Sequence, residues 1–501
     1  MKNIKITLST FLFLGLYTIT ACTAGGNSGE KSKSQKLIYL DNFKHVAKGE
    51  TVHISVGLKS NNKSSYDFNV STNNQKNITV KKDDNNCHIS NIKKCSISVT
   101  GVEIGNTTFI VSPVDTSIKP ISQDITVSKF SVKELSINDG HSCLVNFDKQ
   151  VYCWGDNSNG SLGNGKRENI TTLLPTDSIQ GLLVDDSAKF IPGIVSTNIV
   201  VSNNQIIQWG GKIADINSDG KTVENNVATT INLDGGINDV TTIVTHDLTS
   251  ICAIKKIDNK VYCWGNNYNG QMGRGGDVDQ AIHSISPINS NLQFSKLSHP
   301  NNGDTVCAIT IDQNHLFCWG SNQDQIIIDN TSSNITTPTE IVIPGSGKIV
   351  NASVGLQHIC ALRASGDIYC WGNNSMGQLG IGDNNALTVK PTLVNGGMKF
   401  ISIVTTEGSS CAISNDKQLY CWGIYGPDQL KSNVPTLINN IPGNPKLAAV
   451  SIFNYDIKQN NGMTIAAITE DGMVYAWGNN SHGRLATGDE KKLDKPTLIL
   501  K

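Results

Sequence analysis

The chain of 501 residues holds seven tryptophans, and each is followed by glycine: Trp154, Trp209, Trp264, Trp319, Trp371, Trp422 and Trp477. Their successive spacings are 55, 55, 55, 52, 51 and 55 residues. A fixed period near 50 predicts one supersecondary unit stacked repeatedly on its own copies. The fifth unit can be read locally. KIVNASVG, HICALRA, DIYCWG and KPTLV are four short strands, Ser365-Gly366 is a tight turn, and Gly-rich NNSMGQLGIGD leads to the last strand. No segment of useful length with helical period lies between about 130 and 501. Four antiparallel strands repeated seven times predict an all-β fold, a seven-bladed β-propeller over residues 130–501.

Three copies are the most regular: HICALRASGDIYCWGNNSMGQLG (358–380), HSCLVNFDKQVYCWGDNSNGSLG (141–163) and SICAIKKIDNKVYCWGNNYNGQMG (250–273). They resemble the repeat of the regulator of chromosome condensation family, H-x-x-A-L-x-x-x-G-x-V-Y-x-W-G followed by N-x-x-G-Q-L-G. The resemblance implies the propeller fold over the same region. Aromatics recurring in phase read as blade packing rather than as binding residues.

Ten cysteines fall at two repeat positions: Cys143/Cys153, Cys252/Cys263, Cys307/Cys318, Cys360/Cys370 and Cys411/Cys421. In the seventh unit both positions are alanine, Ala466 and Ala476, and in the second they read as Asn198 and Gln208. Both cysteines are present or both are absent, as bonded partners across a hairpin require. Zinc sites favour closer C-x₂-C pairs, and histidine stands at the repeat position before the first cysteine in only two of the five pairs, as His141 and His358. Five hairpin disulfides follow, and they imply an oxidising compartment. A sixth pair, Cys87-Cys95, lies in residues 36–129. There TVHISVGL, ITVKK, CSISVTGV, TTFIVSP and DITVSKF alternate apolar and polar residues and predict a small β-sandwich. GVEIGNTTFIVS resembles the closing part of bacterial Ig-like domains. Whether DITVSKF belongs to the sandwich or completes the last blade beside KPTLILK is open from sequence.

The first 21 residues read as a signal peptide: MKNIK is basic, and ITLSTFLFLGLYTITA has no charge. Ile19-Thr20-Ala21-Cys22 resembles a bacterial lipobox, which implies lipidation of Cys22. Thr23, in place of Asp, leans toward the outer membrane. Residues 22–35 are then a polar, Gly/Ser-containing tether.

A formal net charge of −1 gives no basic footprint for nucleic acid. The chain has no G-x-S-x-G, H-E-x-x-H or P-loop, and every cysteine after Cys22 has a candidate partner, so no enzymatic activity and no cofactor are expected. Asp215, Asn217 and Asp219 in DINSDG match the first ligands of a calcium loop, but Asn226 stands where the closing Glu should be. A polar turn is the other reading. The seventh unit carries a long first hairpin, IFNYDIKQNNGMTIAA, with Phe453 and Tyr455 as candidate partner-binding aromatics, or as contacts to the neighbouring blade. The expected function is a lipid-anchored, non-enzymatic binding or scaffold protein of the bacterial cell envelope, engaging a protein or cell-wall component. Guanine-nucleotide exchange on a small GTPase, or inhibition of a secreted enzyme as in a similar β-lactamase-inhibiting propeller, are the alternatives.

Overall fold

The computed structural model describes residues 37–500 with breaks, the longest at 60–64, 172–177, 193–197, 215–221 and 455–461. Two four-stranded sheets come first in the chain. One orders Leu37–Leu40, Thr51–Lys59, Cys95–Gly101 and Ile78–Lys82, and the other His45–Ala47, Ile121–Ser128, Gly105–Pro113 and Phe68–Thr72. Alternate residues of both sheets, among them Val56, Phe68, Ile97, Phe109 and Ile125, share one buried core, so this is a β-sandwich. Ile121–Ser128 pairs with Gly105–Pro113 and His45–Ala47. DITVSKF therefore contributes its strand to the sandwich and not to a blade.

Seven further sheets follow in sequence order, and each contains one Trp-Gly unit. Blade 5 shows the plan: Ile349–Val354, His358–Arg363, Ile368–Asn373 and Leu387–Leu393 run antiparallel in chain order. Every described residue of its second strand is buried, whereas the fourth strand is half-exposed along its length. The second and third strands are covered on both faces by neighbouring blades, and the fourth is the outer edge.

Each tryptophan lies at the seam with the preceding blade. Trp154, Trp209, Trp319 and Trp371 donate their indole N–H to Arg484 O, Ser161 O, Gln271 O and Ile326 O, at 2.8 to 3.0 Å. These carbonyls all belong to the loop after the previous Trp-Gly. The glycine is needed for a separate reason. Gly372 has φ +105°, and a Cβ there would lie 2.5 Å from Gln357 O. The backbone after tryptophan passes directly over the first hairpin of its own blade.

Blade 7 is formed wholly from the C-terminal end of the chain, Leu447–Phe453 through Leu493–Leu500. Among the described residues no strand from elsewhere joins its sheet, and side chains and loops close the ring. Phe453, Ile468 and Leu485 of blade 7 pack with Leu144, Tyr152 and Trp154 of blade 1. Arg484 O accepts from both Trp154 and Ser142, and Val132 N–H donates to Gly472 O.

Blade 2 departs from the plan. After its Trp-Gly the chain forms a hairpin of Lys212–Ala214 and Thr222–Glu224 that joins the sheet of blade 3, with Ile213 beside Thr249 in parallel. Its register also corrects the sequence reading: Gln208 faces Ile199, and Asn198 faces Trp209. With no cysteines to anchor the alignment, a one-residue slip cannot be seen without the strand pairing.

A candidate interaction face on one end of the propeller

In each regular blade the turn between the second and third strands lies at the same end of the disc as the connector to the next blade. Backbone bonds mark this end. Asn259 O, Gln313 O, Gly366 O and Lys417 O accept from Phe294, Ile349, Phe400 and Leu447 at 2.7 to 3.0 Å, each at the start of the following blade.

Large apolar side chains are exposed at this end on blades 3 to 6. Ile257 and Ile311 occupy second–third strand turns and are 76% and 51% exposed; Val342, in the connector after blade 4, is 77% exposed. Val350 and Ile401, near the starts of the first strands of blades 5 and 6, are 36% and 42% exposed. Backbone and side-chain bonds make these positions neighbours. Ile311 N–H donates to Gln293 O, Gln293 Nε2 donates to Asp258 O, and Lys296 Nζ reaches Val350 O. The Val342 connector is held from below. Arg363 is buried, and its guanidinium donates to Ile343 O, Pro344 O and Gly347 O. Five exposed apolar side chains thus stand at one end of a rigid frame.

The same end carries a titratable group. His315 Nδ1 lies 2.6 Å from Glu340 Oε1, and Nε2 lies 3.9 Å from Asp312 Oδ2. The hydrogen bond to Glu340 holds the His315 imidazolium above the ordinary histidine range. Protonation therefore removes one net negative charge beside Ile311.

The residues singled out in the sequence fall elsewhere. The structure bonds Cys143–Cys153, Cys252–Cys263, Cys307–Cys318, Cys360–Cys370 and Cys411–Cys421, each with Cα atoms 4.1 Å apart. Ala466 faces Ala476 at the same position in blade 7. Cys95 is disulfide-bonded, and Cys87 lies outside the described residues. Cys22, Asp215, Asn217, Asp219 and Tyr455 also lie outside them. Among the described residues no group of three His, Cys, Asp or Glu is placed to hold a metal ion, and no helix is long and apolar enough to cross a membrane.

Phe453 requires a correction. It ends the first strand of blade 7, is 2% exposed, and packs in the core shared with blade 1 beneath Arg484. It closes the ring and offers no surface to a partner. The aromatic falls within the last strand residues and not in the hairpin extension beyond them.

His141 and His358 are buried at the start of second strands. His141 Nε2 lies 3.2 Å from Asn138 Nδ2, and His358 Nε2 lies 2.9 Å from Ser410 Oγ of blade 6. Burial pushes His358 down to about 3, so the ring is neutral. Other blades place Ser250, Thr305, Ser409 or Thr464 there, and each hydroxyl donates to the carbonyl of the residue after Trp-Gly. The position is structural. The apolar turn end was missed in the sequence, although a signal existed: KKIDNK and TIDQNH put isoleucine in turns where units five and six have only small, polar or charged residues.

Comparison with known proteins agrees with the propeller fold. The sequence models of the Regulator of chromosome condensation (RCC1) repeat match residues 132–161, 250–271 and 349–378, and residues 365–413 and 471–501. The chain thus carries RCC1 repeats folded as a β-propeller. The Ultraviolet-B receptor UVR8 of Arabidopsis thaliana is 25% identical over 256 residues, 50% of this chain and 56% of that protein. The E3 ubiquitin-protein ligase HERC2 of Mus musculus is 24% identical over 283 residues, 52% of this chain and 5% of that protein. The chain therefore spans from a small fraction to about half of these relatives' lengths. Among solved structures, yeast RCC1 (Prp20) bound to Kap60 superposes with a TM-score of 0.52 at 19% identity, over 64% of this chain and 78% of that one. Prp20p of Saccharomyces cerevisiae, described with its binding to Gsp1p and histones, also gives 0.52.

Proposed function

We propose that this chain is a non-enzymatic binding protein of the bacterial cell envelope that engages a protein partner through the turn end of blades 3 to 6. The observation that carries the reading is the exposure of Ile257, Ile311, Val342, Val350 and Ile401 on one end of the disc. Such side chains gain stability only when a partner removes them from water. The envelope location rests on the N-terminal pattern ending at Cys22 and on five bonded cysteine pairs, which persist in oxidising compartments. Lipid on Cys22 would supply the membrane anchor, and Thr23 favours the outer membrane. The partner is a protein or other envelope component and not nucleic acid. No cofactor is needed for such a role, and a calcium ion at Asp215, Asn217 and Asp219 would be structural.

The test compares the native protein with an Ile257→Lys/Val342→Lys variant, cross-linked in envelope preparations. Both substitutions are exposed and should leave stability within about 0.5 kcal/mol. A partner held by the native chain and lost by the variant supports the reading; equal retention by both rejects the face. The captured protein's identity also tests the alternatives. A periplasmic hydrolase would favour enzyme inhibition. A small GTPase would favour the regulatory role, which the similarity to Prp20 keeps in view.

A further inference from the structure

The sequence contains six Asn-Gly pairs, at Asn159, Asn164, Asn269, Asn302, Asn395 and Asn461. Asn302 and Asn461 lie outside the described residues. Asparagine before glycine is open to an intramolecular reaction, because no side chain shields the following backbone nitrogen from the carboxamide. The folded structure treats the four described pairs differently.

In three of them the glycine N–H is committed to a main-chain carbonyl. Gly160 donates to Asn157 O at 3.0 Å, Gly165 to Asn226 O at 2.8 Å and Gly270 to Asn267 O at 3.0 Å. Two of these asparagine side chains are occupied as well. Asn269 Nδ2 donates to Asp304 Oδ2, and Asn164 Oδ1 accepts from Asn157 Nδ2 and Lys166 N–H. For any of the three to cyclise, a turn on which the blade depends must first open.

Asn395 is the opposite case. Gly396 N–H donates at 2.7 Å to Oδ1 of Asn395 itself, so the carboxamide is already folded over the nitrogen that would attack it. Asn395 and Gly396 are exposed, on the connector from blade 5 to blade 6. Gly396 and Gly397 have φ of +101° and +66°, and a Cβ on Gly397 would meet nothing within 4 Å. The two glycines leave the connector free to adjust around a five-membered ring, while Asn395 N–H stays anchored on Gly380 O. Proximity of this kind lowers a barrier by removing the entropy of bringing the groups together.

We propose that Asn395 is a site of spontaneous deamidation, with water as the co-reactant. The Gly396 nitrogen gives its proton to solvent base and bonds to Asn395 Cγ, and Nδ2 takes up a proton and leaves as ammonia. Water then opens the succinimide at either carbonyl, giving aspartate or isoaspartate. The sum is amide plus water to acid plus ammonia, with no oxidation. The product places a new carboxylate on the connector, between exposed Leu393 and Ile401.

The purified full chain is aged at mildly alkaline pH and neutral pH, with a reduced, urea-unfolded sample aged in parallel as the chemical clock. Peptide mapping with isoaspartate detection reads each site. Conversion at Asn395 should run at least about ten times faster than at Asn159, Asn164 or Asn269 in the folded chain, a barrier difference of about 1.4 kcal/mol. The unfolded sample should show the four sites converting at similar rates. An Asn395→Gln chain, whose longer carboxamide cannot close the five-membered ring, should show no product in that peptide. The proposal is overturned if another of the three sites converts first in the folded chain. It is equally overturned if folded Asn395 reacts more slowly than its own unfolded control.

Discussion

His358 makes the propeller's stability depend on pH in a way that can be calculated. The ring is fully buried between blades 5 and 6, and burial pushes it down to about 3 from an ordinary value of 6.5. Above 6.5 both folded and unfolded chains hold it neutral, and it imposes no pH dependence. Below 6.5 the unfolded chain takes up a proton that the folded chain refuses, so stability falls progressively until the pH reaches about 3. Between pH 8 and pH 5 this one group should cost about 2 kcal/mol. The control is His358→Thr, because Thr305 and Thr464 already fill the equivalent position. The variant loses packing, but it cannot gain a proton. Urea unfolding followed by tryptophan fluorescence reports the propeller alone, since all seven tryptophans lie between residues 154 and 477. The native chain should lose about 2 kcal/mol more than the variant on moving from pH 8 to pH 5. Equal losses would refute the assignment of a buried, neutral His358, because every other titrating group is common to both chains.

Other consequences are equally direct. Replacing Cys360 and Cys370 together by alanine, the pair that blade 7 already carries, should lower stability by about 2–3 kcal/mol without loss of the fold, measured by denaturant unfolding. Leu485→Ala removes a buried side chain from the non-covalent ring closure and should cost about 2–5 kcal/mol; a loss below 1 kcal/mol would mean that the seam between blades 7 and 1 carries little of the stability. Titration of His315 by NMR should give a value above that of an ordinary histidine, and Glu340→Gln should bring it down. A value unmoved by that substitution would show that the ion pair does not persist in solution.

Much of the fold is written locally. Each repeat specifies its own strands, its turn and its Trp-Gly crossing, and the cysteine pairs of five units with the alanine pair of the seventh name residues that face one another. Repetition makes this legible, since seven copies of one unit report the same environment seven times. Departures from the repeat are the least legible. The hairpin at 212–224 has ordinary strand composition, and nothing in it states that it will join the next blade's sheet. Blade 2 lacks the cysteines that fix register elsewhere, so its facing pair was misplaced by one residue.

The candidate site divides along the same line. The sequence by itself determined the period, the all-β blades and the bonded pairs, because these depend on interactions within one 50-residue unit. Only the tertiary structure decided which apolar residues are covered. Phe453 ends a strand and Ile311 directly follows one, both in hydrophobic sequence, yet one is sealed beneath Arg484 at the ring closure and the other stands half-exposed in a turn. Burial is set by the neighbouring blade, tens or hundreds of residues away in the chain. For Phe453 that neighbour is blade 1, brought alongside only when the ring closes.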